Sequence, residues 1–418
     1  MDLLNSLNPY TKLFLSALCI KVIIQNYLDL RQKKSLMKNM KKIPEQFINF
    51  ISIDEHEKAS LYNLEKISFG KIIRTFNLII LLIWTIGGGL NLLGYYTTSE
   101  KNTFLETFIF LLSYMTIETF LSVPASFYST FVIEEKYGFN KTTKKIFFSD
   151  LLKSFVISLV ISTPLLFGLL HLLNFLGDNW WLFGWLGFMV FQLLLIFIYP
   201  TFIAPIFNKF TPLENQELEE KIKVLLSKVN FNAKELFKMD ASTRSTHGNA
   251  YFTGFGKNKR IVFYDTLLEK MNHDEILAIL SHELGHFKKK HILKSLIIGS
   301  IALFIVFFLL SLAIKNPIFL SGHGLNNSNN LLAIILFMMV MPVYSFLIGP
   351  ISNYFSRKNE FEADQFACTY SSAKDLESAL LKLYKFNYGP LCTDEIYSAF
   401  YDSHPPAKIR INHLKENS

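Results

Sequence analysis

Residues 281–314 read SHELGHFKKKHILKSLIIGSIALFIVFFLLSLAI and place a metal-binding pattern directly before a long apolar run. The pattern is His-Glu-x-x-His, with His282 and His286 on successive turns of a predicted helix. The run, residues 296–314, contains no charged side chain, and roughly 18 apolar residues suffice for a helix that crosses a bilayer. The sequence therefore predicts a membrane protein with a metal site beside one of its membrane helices.

Other parts of the chain are similarly apolar. Of its 418 residues, 50% are hydrophobic and 18% are charged, whereas soluble domains carry about 25% charged residues. Seven runs meet or approach the length of a membrane helix, although one contains Lys21 and another is interrupted by consecutive glycines. The runs are residues 13–28, 76–96, 104–132, 154–176, 180–199, 296–314 and 331–351. We therefore expect a mainly α fold built on a bundle of seven transmembrane helices.

Lysine and arginine residues are unevenly distributed between the two sides of this bundle. The loops after the first, third, fifth and seventh runs are basic, whereas residues 97–103, 177–179 and 316–330 are nearly free of Lys and Arg. Positive loops lie on the cytoplasmic side of a membrane. The pattern predicts an N-terminus outside and a C-terminus in the cytosol. It also accounts for the net charge of +8 without a nucleic-acid partner.

Two polar stretches on the cytosolic side can fold outside the lipid, and they divide the chain into four parts. Residues 1–205 would form the membrane region with the first five spans, and residues 206–292 a cytosolic zincin-like segment with the histidine helix. Residues 293–355 would form the last two spans, and residues 356–418 a C-terminal cytosolic segment that completes the metal site.

The first cytosolic segment has readable local structure. Helical spacing covers residues 216–229, and Glu235–Met239 has the composition of a short strand. Two β-rich runs flank a turn at residues 256–258, which predicts a small β-hairpin. Asn272 is a suitable N-cap for the helix that carries both histidines.

The two histidines project from one helix face and can reach a single ion. Zinc suits two imidazoles because it is tetrahedral and accepts nitrogen and oxygen ligands. In His-Glu-x-x-His the glutamate, here Glu283, is not a ligand but can take a proton from metal-bound water. We therefore predict one Zn²⁺ per chain, against the alternative that the histidine pair is a chance surface pattern.

A catalytic zinc needs a third protein ligand. His291 follows His286 by five positions, whereas the longer metzincin pattern requires six, so we expect an interfacial role for it. Past the last span, Glu360 and Asp364 lie one helical turn apart. We predict Glu360 as the ligand and Asp364 as the carboxylate that holds a ligand histidine in its tautomer. Glu362 points to another face and is expected to be a bystander.

Several longer motifs accompany the metal pattern. They are PEQF (44–47), FVIEEKYGFNKTT (131–143), IAPIFNKFTPLE (203–214), HGNAYFTGF (247–255), SRKNEFEADQFA (356–367) and SHPP (403–406). Together with SHELGHF they make the chain resemble the type I CAAX prenyl endopeptidases over nearly its whole length. Two departures are Tyr137, where many members have His, and a C-terminus without a dilysine-type retrieval signal. The second of these departures leaves both an endoplasmic reticulum membrane and a bacterial inner membrane open.

The resemblance implies a specific architecture and activity. The family is known for seven membrane helices around a large chamber, with a zinc site at the cytosolic end, and it removes the last three residues of prenylated CAAX proteins. By this resemblance, the zinc ligands match His282, His286 and Glu360, and the catalytic acid/base matches Glu283. Asn249 matches a residue beside the cleft, and His404 and Arg410 match a C-terminal pair near the zinc.

Several residues have chemistry that suits these roles. His404 could donate to the oxyanion of a tetrahedral intermediate, or it could simply be a turn residue before two prolines. Arg410 could pair with the substrate carboxylate or with Asp364, or could be a helix-surface charge. An extended substrate could add to a hairpin edge strand, which makes Asn249, Ala250, Tyr251 and Phe252 candidate substrate-binding residues; the alternative is an ordinary hairpin strand.

Three classes of function compete at this point. The first is a zinc endopeptidase for prenylated or otherwise membrane-delivered C-termini, embedded in a lipid bilayer and expected to be a monomer. The second is a membrane quality-control zinc protease without a prenyl requirement, which would lack EEKYGFNKTT. The third is a channel or transporter, which leaves the histidine and carboxylate pattern unexplained.

Overall fold

The computed structural model describes residues 7–231, 235–253, 260–326 and 329–416, which are mainly helical. The strands are β1 (Phe210–Pro212), β2 (Glu235–Met239), β3 (Ala250–Thr253) and β4 (Arg260–Tyr264). The α-helices are α1 (Pro9–Asn39), α2 (Ile53–Trp84), α3 (Gly89–Thr97), α4 (Phe104–Tyr128), α5 (Lys144–Leu176), α6 (Trp180–Ile198), α7 (Ala204–Phe207), α8 (Gln216–Lys228), α9 (Asp265–Leu268), α10 (His273–Lys288), α11 (His291–Ile314), α12 (Pro317–Gly322), α13 (Asn330–Tyr344), α14 (Gly349–Tyr370), α15 (Ala373–Phe386), α16 (Glu395–Tyr401) and α17 (Ala407–Glu416).

Within the described residues, 6 helical segments are long and apolar enough to cross a membrane. They are Pro9–Asn39, Ile53–Trp84, Phe104–Glu134, Lys144–Phe207, His291–Ile314 and Asn330–Tyr370. Each of the seven predicted apolar runs overlaps one of them. The counts differ because Lys144–Phe207, at 64 residues, contains two runs, which a short 3-10 turn at Gly177–Asn179 separates into α5 and α6.

The second span begins earlier than its apolar run because of local capping. The Ser52 side chain accepts a hydrogen bond from the Glu55 backbone, and the Glu55 carboxylate accepts one from the Ser52 backbone. This capping box starts α2 well before the apolar run at residues 76–96. The helix ends at Trp84, and Gly88 has a φ of 78°, a left-handed conformation that favours glycine. The remainder of the run forms α3.

Helix α13 lies in the interior of the membrane bundle. Its residues from Leu331 to Phe337 are all apolar, and all of them are buried. Gly94 of α3 packs directly against it, since an added Cβ would lie 2.4 Å from a Leu332 methyl carbon. Many large apolar side chains on the outer helices are exposed, as expected for surfaces that face lipid rather than water.

The strands form one mixed sheet in the order β1-β2-β4-β3. β4 pairs parallel with β2 and antiparallel with β3, with Tyr251 opposite Val262. The predicted strand Glu235–Met239 and the two hairpin strands are therefore present, while the turn at residues 256–258 lies outside the described residues. β1 and the parallel pairing were not predicted. β3 occupies one edge of the described sheet.

Helices α10 and α14 cross at very close range and so bring the two halves of the predicted metal site together. At the crossing, a Cβ on Gly285 would lie 2.9 Å from the Ala363 Cα, a distance that real side chains do not tolerate. The glycine therefore permits the contact. Helix α10 begins at His273, and its N-cap is Asn272, as predicted. Asn272 forms a capping box with Glu275.

Candidate metal centre

The two histidines of α10 point their Nε2 atoms at the same space. The Nε2 atoms of His282 and His286 lie 3.1 Å apart, and the two imidazole rings are nearly perpendicular. His282 is buried and His286 is half-buried. Two imidazole nitrogens at this separation can both coordinate a single ion when neither carries a proton.

Glu360 of α14 completes the cluster. Its Oε1 lies 3.2 Å from His286 Nε2, and its Oε2 lies 3.5 Å from His282 Nε2. Ligand atoms about 2.1 Å from a tetrahedral zinc lie roughly 3.4 Å apart, so these spacings fit such an ion. The buried Oε2 also faces Arg410 Nη1 at 3.3 Å, although it meets the criteria of a hydrogen bond with no described residue. The three residues therefore fit zinc.

The charges of the site also suit a divalent cation. Glu283, Glu360 and Asp364 contribute three carboxylates, and Arg410 contributes one guanidinium. With both imidazoles neutral, as metal ligands must be, and all three carboxylates ionised, these groups would carry a net charge of minus two. Because Glu360, Asp364 and Arg410 are buried, this imbalance is costly, and a single Zn²⁺ would cancel it.

Asp364 and Arg410 both contact Nδ1 of His282, the ring nitrogen that faces away from Glu360. His282 Nδ1 donates to Asp364 Oδ1 at 2.7 Å, and Arg410 binds both Asp364 oxygens through Nε and Nη2 at 2.7 Å. Burial and the Arg410 charge lower the pKa of His282, but the hydrogen bonds to Asp364 and Glu360 outweigh them and raise it overall. The Asp364 carboxylate fixes a proton on Nδ1, so a neutral His282 ring would have an unprotonated Nε2 for a metal.

Glu283 lies between the histidines on α10 and is half-buried. Burial raises the pKa of its carboxyl group above the ordinary value, although the neighbouring histidines oppose the shift. Among the described residues, no side chain hydrogen-bonds to this carboxylate. A carboxylate with a raised pKa and no competing partner is suited to accept a proton from water.

His404 approaches the same ligand from the C-terminal segment. Its Nε2 lies 3.5 Å from Glu360 Oε1, and its side chain is exposed. The Ser403 hydroxyl lies 3.0 Å from His404 Nδ1 and can donate to it, which leaves the proton on Nε2 facing the cluster. His404 therefore lies close to the candidate ligand Glu360.

His291 and Glu362 are closer to the cluster than the sequence suggested. His291 Nδ1 lies 3.0 Å from His286 Nδ1, and His291 Nε2 lies 3.2 Å from Glu362 Oε2. The three residues whose donor atoms converge are nevertheless His282, His286 and Glu360, all within 4.8 Å of one another, without His291. His291 thus contacts a candidate ligand but is not one of the three converging residues.

The candidate substrate-binding residues lie at the free edge of the sheet. Tyr264 donates its backbone N–H to the Asn249 carbonyl at 3.0 Å, just before β3 begins. The Ala250 N–H donates to the Asn249 side-chain oxygen at 2.8 Å. By the alternation of an antiparallel ladder, Tyr251 bonds to β4 and the main chain of Phe252 faces outward. An open edge of this kind can accept an extended peptide.

A polar and aromatic cluster, which the sequence did not predict, joins two of the longer motifs. Glu134 Oε1 accepts a hydrogen bond from Tyr62 at 2.7 Å, and its other oxygen lies 3.5 Å from His247 Nε2. Phe139 stacks on His247 with ring centroids 4.2 Å apart, and His247 Nδ1 lies 3.1 Å from Asn387 Oδ1. The cluster anchors the segment that leads into β3. The motifs EEKYGFNKTT and HGNAYF were its only sequence signal.

The comparisons with known proteins cover nearly the whole chain. Residues 32–209 match the CAAX prenyl protease N-terminal family, described as five membrane helices, and residues 212–418 match peptidase family M48. A CAAX prenyl protease 1 homolog of Arabidopsis thaliana is 36% identical over 416 residues, covering 96% of this chain and 97% of its own. The CAAX prenyl protease 1 homolog of Homo sapiens is 33% identical, covering 94% of this chain and 92% of its own.

A solved structure shows that the fold is also similar to that of a known protein. The crystal structure of S. mikatae Ste24p superposes with a TM-score of 0.89 at 30% sequence identity. The superposition covers 97% of this chain and 99% of the other.

Proposed function

Since the chain belongs to peptidase family M48 and is an integral multi-pass membrane metalloendopeptidase of the CAAX prenyl protease kind, we propose that it uses zinc to remove the C-terminal tripeptide of prenylated CAAX proteins. The observation that carries the proposal is the convergence of His282, His286 and Glu360 from two crossing helices. Glu360 lies in Asn330–Tyr370 and His286 lies five residues before His291–Ile314, two segments long and apolar enough to cross a membrane, which supports access for a lipid-anchored C-terminus.

The proposed metal ligands are the two imidazoles and the one carboxylate of the cluster. These residues would hold a zinc ion, which would supply Lewis-acid chemistry: polarisation of the scissile carbonyl and a lower pKa, towards about 7, for bound water. The remaining chemistry belongs to the chain itself. With three protein ligands, the metal would remain accessible to water or substrate, as in other catalytic zinc sites.

Glu283 is the proposed general base. It follows His282 on α10, and burial raises the pKa of its carboxyl group towards the range where it can both accept and return a proton. It takes a proton from the attacking water and then passes it to the leaving amine. The carboxylate makes no hydrogen bond to a described side chain that would compete for this proton.

His404 and Arg410 are proposed to support the same step from the C-terminal segment. With Ser403 donating to its Nδ1, His404 can present the Nε2 proton to the oxyanion that develops on the scissile carbonyl. Arg410 acts through Asp364, which it binds with two hydrogen bonds, and so keeps the His282 ring in a single orientation.

The substrate peptide is proposed to lie along β3 as an added strand. Asn249 would border the cleft, and the main chain of Phe252 would pair with the extended substrate, with Ala250 and Tyr251 completing the edge. Strand addition straightens the peptide and presents its scissile bond to the metal. The position of β3 at an edge of the described sheet supports this arrangement.

The proposed topology has seven membrane passes, with α5 and α6 counted separately. The basic loops support an N-terminus outside and the metal site in the cytosol, in the endoplasmic reticulum membrane. The proposed organisation remains a membrane region over 1–205, a zincin-like segment over 206–292, two spans over 293–355 and a completing segment over 356–418. A chamber inside the bundle and a monomeric state are part of the same proposal.

The proposal is tested with purified protein in liposomes and a pair of peptides that differ only in farnesylation of the CAAX cysteine. We expect release of the C-terminal tripeptide from the farnesylated peptide, loss of activity with a zinc chelator, and recovery when zinc is restored. Equal cleavage of both peptides would favour a quality-control protease without a prenyl requirement. Full activity in the presence of the chelator would contradict the metal mechanism.

A further inference from the structure

The two candidate histidine ligands differ in how their outer ring nitrogens are held. His282 donates its Nδ1–H straight to a carboxylate, that of Asp364, at 2.7 Å. His286 has no such carboxylate within reach among the described residues. Its Nδ1 instead faces the Nδ1 of a third histidine, His291, at 3.0 Å.

The direction of the hydrogen bonds from His286 through His291 to Glu362 follows from the position of the three candidate ligands. His286 Nε2 faces Glu360 and His282, so the proton of a neutral ring must sit on Nδ1. His286 Nδ1–H then donates to His291 Nδ1. His291 must carry its own proton on Nε2, and that atom lies 3.2 Å from Glu362 Oε2. The result is a chain of two hydrogen bonds that ends on a carboxylate.

The surroundings of His291 hold the ring in this orientation. His291 is 3% exposed, and its ring centroid lies 5.1 Å from that of His286, with the planes inclined by 71°. It is the first residue of α11, immediately after Lys290, which has a left-handed φ of 59°. Glu362 is on α14, two residues beyond Glu360. The contact therefore ties the start of one membrane helix and the end of another to a single ligand.

We propose that His291 and Glu362 are positioning residues that fix the tautomer and ring orientation of His286 for metal binding, as Asp364 does for His282. This inference rests on the proposed metal site. Glu362 lies on a different face of α14 from Asp364. It contacts His286 through His291, which hydrogen-bonds to both residues. Loss of a partner of this kind typically costs about 10- to 100-fold in metal affinity.

The test is the zinc affinity of the purified protein, measured by competition with a chromophoric chelator, for a set of single variants. For His291→Ala we expect about a 10- to 100-fold loss of affinity. His291→Asn places an amide oxygen near the position of Nδ1 and can still accept from His286, so it should recover part of the loss. Lys289→Ala, an exposed neighbour, is the matched control and should bind zinc as the unmodified protein does.

A second readout separates positioning from simple packing. The visible absorption of the Co²⁺-substituted protein reports the geometry at the metal, and we expect altered bands in His291→Ala and in Glu362→Ala but not in Lys289→Ala. Because Glu362 is about one-third exposed, its variant keeps the inference testable if His291→Ala does not fold. Unchanged zinc affinity together with unchanged Co²⁺ bands in a folded variant of either residue would overturn the inference. Absence of metal binding in the unmodified protein would instead overturn the proposed function.

Discussion

Gly285 and Ala363 are in direct contact where α10 crosses α14, and this contact sets the distance between the histidine pair and Glu360. A Cβ at position 285 would lie 2.9 Å from the Ala363 Cα and 3.0 Å from the Ala363 carbonyl oxygen. Both neighbours are backbone atoms, so neither can move aside without moving the helix.

The first prediction concerns this crossing. Gly285→Val should push α14 away from α10 and separate Glu360 from the histidines, because the new side chain meets backbone atoms. We expect at least a tenfold loss of zinc affinity and a lower unfolding midpoint. Gly299→Ala is the matched control, since no atom lies within 4 Å of its added Cβ. Equal zinc affinity in Gly285→Val and the unmodified protein would contradict the role of the crossing.

The second prediction separates metal binding from proton transfer. Glu283→Gln keeps the size of the side chain but cannot accept a proton, so kcat should fall by about 10²- to 10⁴-fold. The zinc content, measured by elemental analysis of the purified protein, should stay at one ion per chain. If cleavage persists at the original rate, Glu283 is not the base.

The third prediction concerns the buried carboxylate that caps α10. Glu275 accepts hydrogen bonds from Lys382 at 2.6 Å and from Ser378 at 2.7 Å. Burial alone raises its pKa, but these bonds and the Asn272 backbone outweigh it and hold the pKa below the ordinary value. The stability from this group is therefore present above the ordinary carboxyl pKa and is lost as the pH falls through the lowered folded-state pKa.

Lys382→Met removes the cation and leaves the Glu275 charge buried. Because Lys382 is about one-third exposed, we expect a loss of about 1–3 kcal/mol in the free energy of unfolding near pH 7. The difference between variant and unmodified protein should shrink at pH values below the lowered pKa. Thermal unfolding in detergent across a pH series measures this. The control is Lys374→Met, at the exposed start of α15, the helix that also carries Lys382. This variant should unfold as the unmodified protein does at every pH.

The fourth prediction concerns the free edge of the sheet. Phe252→Pro removes an outward-facing N–H without removing the ladder bonds of Tyr251 and Thr253 to β4. We expect a higher KM for the farnesylated peptide with little change in zinc content. Phe252→Ala loses the same aromatic ring but keeps the N–H, so it isolates the main-chain effect. Equal KM values in the two variants would argue against strand addition.

Local sequence patterns predicted those features of the fold that depend on neighbouring residues. Asn272 and Glu275 form the capping box expected at the start of α10, and Glu235–Met239 forms the expected strand. Each of the seven apolar runs overlaps a membrane-length helix, although the run at residues 76–96 continues past the end of α2 into α3. The break between the fourth and fifth runs at residues 177–179 coincides with the three-residue 3-10 turn that separates α5 from α6.

Features that depend on distant residues could not be predicted in the same way. β1 contains only three residues, too few for a periodic pattern, and the parallel pairing of β2 with β4 depends on tertiary contacts. His291 and Glu362 are 71 positions apart, so their contact has no local signal. The pairing of Arg410 with Asp364 was one of several predicted alternatives, and only the packing of α17 against α14 selects it.

The central claim is that two histidines of α10 and Glu360 of α14 hold one zinc ion. The most direct measurement is a crystal structure with anomalous diffraction collected on both sides of the zinc absorption edge. The account predicts a single anomalous peak about 2.0–2.2 Å from His282 Nε2, His286 Nε2 and a Glu360 carboxylate oxygen. A peak that Glu360 does not contact, or no peak in protein purified without chelators, would contradict it.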